Sequence, residues 1–129
     1  MKRVKQDGLI FTLGGIAYGT IEIIWRRYTH WTMLIAGGTC FLILFKIFSK
    51  NEKLSLLKKC IIGSTVITVV ELIAGCVVNI WLKLKVWDYS HLPINFLGQI
   101  CLIYSTLWGL LTVPISFLCR RIKRTFKII

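Results

Sequence analysis

Acidic residues are scarce in this chain. Five Asp and Glu stand against 17 Lys and Arg in 129 residues, giving a formal net charge of +12. Several chemical signatures are missing altogether. There is no Walker A loop, so ATP hydrolysis through a familiar P-loop is excluded. There is no H-E-x-x-H helix and no G-x-S-x-G elbow. The five cysteines, Cys40, Cys60, Cys76, Cys101 and Cys119, form no C-x-x-C pair and stand near no ligand-spaced histidine. A zinc site is therefore not expected, no cofactor is implied, and the thiols read as small apolar residues. The basic balance alone would permit nucleic-acid binding. No separate soluble basic domain remains to carry it, so nucleic acid is not expected as a partner.

What is present is apolar. The chain is 56% hydrophobic with a mean hydropathy of +0.72. A soluble core of this size cannot hide so much apolar surface, whereas a bilayer can. Four runs stand out: 8–25, 31–48, 60–82 and 96–119. A membrane span needs roughly 20 residues, and backbone in hydrocarbon must satisfy its own hydrogen bonds, so each run predicts a helix. The expected fold is an all-α integral membrane protein, a single four-helix membrane domain over residues 1–129. The first run follows a basic stretch, contains Glu22 and lacks an A-x-A-like cleavage site, so it is expected to be a retained span rather than a signal peptide.

The Lys and Arg residues set the orientation. Thirteen fall in the N-terminal tail, around the middle connection or in the C-terminal tail; four, Arg26, Arg27, Lys83 and Lys85, fall in the other two connections. The positive-inside rule then places both termini and the middle loop in the cytoplasm of a multi-pass cell-membrane protein. The polybasic tail from Arg120 to Lys127 stops the last helix and favours anionic lipid. Matching strings hint at two repeated helical hairpins: Ile21–Ile24 against Val70–Ile73, and Gly38–Ile43 against Gly98–Ile103.

Acids inside apolar runs are the most informative residues. Glu71 lies near the middle of the third run, where an ionised carboxylate costs at least about 2.5–3.5 kcal/mol. It must be protonated, paired or in a wet cavity, as a proton, ion or headgroup site or as a bond between helices. Glu22 precedes Arg26 by four residues, so the two share a helix face and can pair; Tyr18 lies one turn deeper. Thr68, Glu71, Gly75 and Asn79 form one polar stripe that must face protein or water.

The two outer connections carry His30, Trp87, Asp88, Tyr89, Ser90 and Asn95, with Gln99 just beyond. Interfacial anchoring accounts for Trp25, Trp31, Trp81, Trp87 and Tyr89. It does not account for the polar residues. Glu22, Arg26, His30, Asn79, Asp88, Asn95 and Gln99 are expected to converge in the outer third, with Glu71 as the floor. In such an outward-facing pocket an arginine could hold a phosphate or carboxylate, and His30, Asp88 or Glu22 could act as acid or base.

These residues resemble a known family. Tyr18-x-x-x-Glu22-x-x-x-Arg26, His30-Trp31-Thr32-Met33, Gly37-Gly38, Glu71-x-x-x-Gly75-x-x-x-Asn79, Trp87-Asp88-Tyr89-Ser90 and Asn95-x-x-Gly98-Gln99-Ile100-Cys101 look like the CmpB-type "putative ABC-transporter type IV" or "putative ABC transporter permease" family, which includes the transmembrane protein 229 group. The resemblance runs from about Gly14 to Trp108; Thr29 stands where serine is expected. It implies a small multi-helix membrane protein, a permease-like component whose ATPase would be a separate chain. Expected partners are membrane lipids and further copies of the chain or another membrane subunit. Three functions compete: transport of a small or lipid-linked substrate, intramembrane enzymology on a lipid headgroup, and a structural or regulatory subunit.

Overall fold

A computed structural model describes residues 2–27, 30–51 and 53–126, with the side chains of Lys2, Arg3, Arg26 and Phe126 outside the description. Four long helices dominate: α1 (Lys2–Arg26), α2 (Trp31–Lys50), α3 (Leu56–Gly75) and α4 (Leu102–Phe126). Six residues of π-helix, Cys76–Trp81, continue α3. Each helix is long and apolar enough to cross a membrane. The chain is thus an all-α protein with four candidate membrane spans.

The ends of the helices are set by local chemistry. Ser55 accepts from the Lys58 N–H and caps α3, and His30 accepts from the Thr32 N–H and caps α2. Both side chains supply an acceptor that the first helical turn lacks. α1 and α4 extend further toward the basic end than the apolar runs indicate. Helix continues to Phe126 because Ile122 and Cys119 are buried there, holding the polybasic segment against the bundle.

Glycine lets the two helices of each hairpin approach closely. A Cβ on Gly38 would stand 2.7 Å from the Phe11 carbonyl oxygen on α1. A Cβ on Gly63 would overlap the Thr112 side chain on α4. Small residues at such contacts bring backbones into van der Waals reach, the main attraction between helices in lipid. Hydroxyls reinforce the α3–α4 seam: Ser64 donates to the Ser105 carbonyl at 2.7 Å, and Thr68 and Ser105 hydroxyls lie 2.8 Å apart.

α2 joins the hairpins. It packs on α1 on one side and on α3 and α4 on the other, whereas α1 scarcely touches α3 or α4. Its Phe41, Leu44, Phe45 and Phe48 form the main core with Ile67 and Trp108. A second cluster, Met33, Val78, Val86, Trp87, Tyr89 and Cys101, closes the opposite end. Outward-facing Ile24, Leu57, Ile61, Leu110 and Phe117 are exposed, as lipid-facing side chains are.

The fourth apolar run is not helical from its start. Residues Asn95–Phe96 and Ile100–Cys101 pair as a short antiparallel ribbon, and α4 begins only at Leu102. The turn between them puts Leu97 and Gly98 at φ of 56° and 71°. Those values end a right-handed helix, and Asn95 fixes the turn by accepting the Gly98 N–H at 3.1 Å. Consequently Gly98–Cys101 is turn and strand while Gly38–Ile43 is helix, so these matching strings do not share a backbone conformation.

Candidate functional site

The expected pocket residues separate into two groups. One is buried between the helices; the other lies in the segments that lead into α2 and α4. Arg26, whose side chain is not described, and Tyr28 and Thr29 fall outside the described residues.

In the buried group, Glu22 is 7% exposed and Glu71 is 9% exposed, so both carboxylates turn inward from the lipid-facing surface. The Tyr18 hydroxyl donates to Glu22 Oε1 at 2.6 Å, four residues along one helix face. The Tyr89 hydroxyl donates to Glu71 Oε2 at 3.1 Å, and the Trp108 indole N–H reaches Glu71 Oε1 at 3.4 Å. Glu71 therefore receives donors from the connection between α3 and α4 and from α4 itself. A chain of rings links the two acids: Tyr89 stacks on Tyr104 at 4.8 Å, Tyr104 lies 5.9 Å from Trp108, and Trp108 meets Tyr18 edge-on at 6.3 Å. These contacts hold ring planes and donor directions together.

Below these groups lies a cleft of about 280 Å³ between the two hairpins. Tyr18, Glu71, Trp87 and Trp108 mark its polar end; Leu44, Ile67, Leu111, Pro114 and Leu118 form the apolar remainder. It exists because α1 packs mainly on α2 and meets α3 and α4 at few points. Exposed Ile21 on α1 and Leu118 on α4 are among its walls, so the cleft opens to the side of the bundle. Pro114 lacks the N–H that would bond the Leu110 carbonyl, a gap tolerated in a span when neighbours compensate.

Asn79 and Gln99 build the end wall. The π-helical turn carries Asn79, whose Nδ2 donates to Gln99 Oε1 at 2.7 Å. Its Oδ1 accepts the Val86 N–H at 2.7 Å and the Trp87 N–H at 3.4 Å. The Trp87 indole donates to the Gln99 carbonyl at 3.1 Å. Gly75 leaves room for Gln99: a Cβ there would stand 2.6 Å from Gln99 Oε1. The polar stripe on α3 thus faces α4 and the folded connection. Trp87 and Tyr89 are 7% and 8% exposed and insert into the bundle, unlike Trp25, Trp31 and Trp81, whose exposure of 61–75% suits interfacial anchors.

The second group does not enter the cleft. Asp88 is exposed, and its Oδ1 accepts the Ser90 N–H at 2.8 Å. That backbone hydrogen bond, helped by the Ser90 side chain, holds the Asp88 carboxyl below its ordinary value. Asn95 donates to the Leu92 carbonyl at 2.8 Å and accepts from Gly98. His30 is half-buried, with Nδ1 2.7 Å from the Thr32 hydroxyl at the cap of α2. Asp88, Ser90 and Asn95 shape the connection, and His30 starts a helix. The single converging pocket of the sequence reading is therefore divided.

Tyr18, Tyr104 and Trp108 complete the buried group but were not singled out as candidate site residues. The four-residue spacing of Tyr18 and Glu22 was a usable signal. Trp108 and Tyr104 gave none, since an aromatic in an apolar helix is ordinary. Among the described residues no group of three or more His, Cys, Asp or Glu is arranged to hold a metal ion.

No curated protein and no solved structure matches the chain. The model of one family, described as "Putative ABC-transporter type IV" (ABC_trans_CmpB), matches residues 10–129. That span covers α1 from Ile10 onward, the other three helices, the buried carboxylates and the folded connection, and the chain belongs to this ABC-transporter type IV family.

Proposed function

We propose that this chain is a permease-like membrane component that accepts an amphipathic, lipid-linked substrate sideways from the bilayer. The supporting observation is the cleft of about 280 Å³ that is apolar along most of its length and ends at Glu71 and Tyr18. An apolar slot with a few polar groups at one end matches an occupant with a hydrocarbon chain and a polar head. The polar groups lining that end are one carboxylate, Glu71, one phenol, Tyr18, and the indoles of Trp87 and Trp108. They fit a head rich in hydroxyl or amine donors.

By the distribution of Lys and Arg, the polar end faces outward and the termini and middle connection face the cytoplasm. The membrane in question is the cell membrane. Transport by this route needs an energy source, in this reading an ATPase on a separate chain, and further copies or another membrane subunit to complete the pathway. The intramembrane-enzyme reading gains no specific support, because His30 and Asp88 are engaged in a helix cap and a turn.

The test is identification of the amphiphile that copurifies with the full chain, by mass spectrometry of extracted lipid. A species enriched over bulk lipid, depleted by Ala36→Phe, which fills the cleft, and by Glu71→Gln, which alters its polar end, supports the reading. Identical lipid profiles for the three folded proteins would refute it.

A further inference from the structure

The basic end of the bundle holds a second polar cluster. Lys59, in the first turn of α3, is 4% exposed. Its Nζ lies 5.9 Å from the centroid of the Phe48 ring. Among the described residues it has no carboxylate partner; the ion pair at this end joins Lys46 to Asp7 at 3.0 Å. Arg120 and Lys123 of α4 line the same recess, with Ser49, Ser116 and Cys119. Lys123 reaches across to donate to the Ser49 carbonyl at 2.7 Å. The Ser49 hydroxyl oxygen is buried with no hydrogen-bond partner among the described residues, and Ser116 is 4% exposed.

Three cationic side chains from two helices thus share one recess with two serine hydroxyls. A buried ammonium without a carboxylate beside it is costly, and an anion with several oxygens relieves that cost for Lys59 while Arg120 and Lys123 add attraction at the rim. We propose that this recess binds one phosphate group, carried by a membrane phospholipid. The recess encloses only about 10 Å³, so the phosphate sits across its mouth with one or two oxygens pointing in. Lys59 and Arg120 face those oxygens as charge-assisted donors, and the Ser49 hydroxyl gains a partner.

Position argues for lipid over a soluble anion. The recess lies where the apolar runs of α2, α3 and α4 meet their basic ends. Leu56, Leu57, Phe117 and Leu118, beside it in sequence, are 44–72% exposed and offer contact for acyl chains. This site lies at the opposite end of the bundle from Asn79 and Gln99 and does not rest on the transport reading.

Native mass spectrometry tests the proposal with the full chain in micelles holding equal phosphatidylglycerol and phosphatidylcholine. The expected result is one retained phosphatidylglycerol. Retention should fall at least about tenfold in Lys59→Met and in Arg120→Gln, the loss expected for a charged hydrogen bond. Lys59→Arg, which keeps the charge, and Lys46→Met, outside the recess, should retain it. Equal retention in wild type, Lys59→Met and Arg120→Gln overturns the proposal. A parallel arm adds inorganic phosphate: Lys59-dependent binding of phosphate with no preference for phosphatidylglycerol overturns the lipid assignment.

Discussion

Asn79 and Gln99 bridge twenty residues of sequence with one 2.7 Å hydrogen bond, and the folded connection hangs from it. The remaining oxygen of Asn79 takes two backbone N–H groups of the irregular segment, from Val86 and Trp87. Replacing Asn79 by Ala removes all three of these hydrogen bonds and should cost about 1–3 kcal/mol. Thermal unfolding followed by tryptophan fluorescence should show the loss, with Trp87 emission shifting to the red as the indole is exposed. An unchanged midpoint and spectrum would mean that the connection is held by other contacts.

Gly75 and Gly109 form a matched pair for testing the close packing. A Cβ at Gly75 would meet Gln99 at 2.6 Å, while one at Gly109 would lie 3.5 Å from its nearest neighbour, the Cys60 carbonyl. Gly75→Ala should therefore destabilise by about 1–3 kcal/mol through overpacking. Gly109→Ala should be neutral or slightly stabilising, because alanine is the better helix former. Equal effects in a denaturation series would contradict the geometry around Gln99.

Tyr18 and Tyr89 each donate one hydroxyl to a buried carboxylate. Phenylalanine at either position keeps the ring contacts and removes the donor. Each change should cost about 0.6 kcal/mol and at most about 1.7, the average and the maximum found for side-chain hydrogen bonds in a membrane bundle. The double variant should lose close to the sum if the two pairs act independently. A large deviation from additivity in thermal unfolding would show instead that Glu22 and Glu71 form one coupled unit.

The Asp88 turn gives a prediction about pH. Its folded carboxyl is held below the ordinary value of 3.8 by the Ser90 N–H. For a lowered acid, the contribution to stability is present above the unfolded value and is lost as pH falls through the folded one. Trp87 fluorescence should therefore be flat through neutral and mildly acidic pH and change only below about pH 4. Asp88→Ala should remove that acid-side transition. A transition centred near pH 6 that Asp88→Ala leaves intact would point to a different titrating group.

Much of the architecture was legible in sequence because hydrocarbon imposes simple rules. Four apolar runs gave four helices, and the positions of Glu22 and Glu71 within them predicted inward-facing acids. The stripe from Thr68 to Asn79 turned toward protein for the same reason. The division of the outer pocket was not legible. Whether Asp88 points into a cavity or back at Ser90 depends on turn geometry that composition does not encode. The ribbon at Asn95–Cys101 was hidden because Phe96, Leu97, Ile100 and Cys101 continue an apolar run, while the turn depends on Asn95 and Gly98. Trp87 and Tyr89 were ambiguous between anchoring and insertion, and only tertiary packing separates these. Lys59 read as one more basic residue of a connection, since its burial comes from Phe48 and α4.

The account depends most on the lateral cleft, and a structure of the full chain in bilayer discs of native lipid tests it directly. The expected result is elongated density between α1 and α4 whose polar end lies beside Glu71 and Tyr18. A bundle in which α1 closes against α4 and leaves no space there would contradict it.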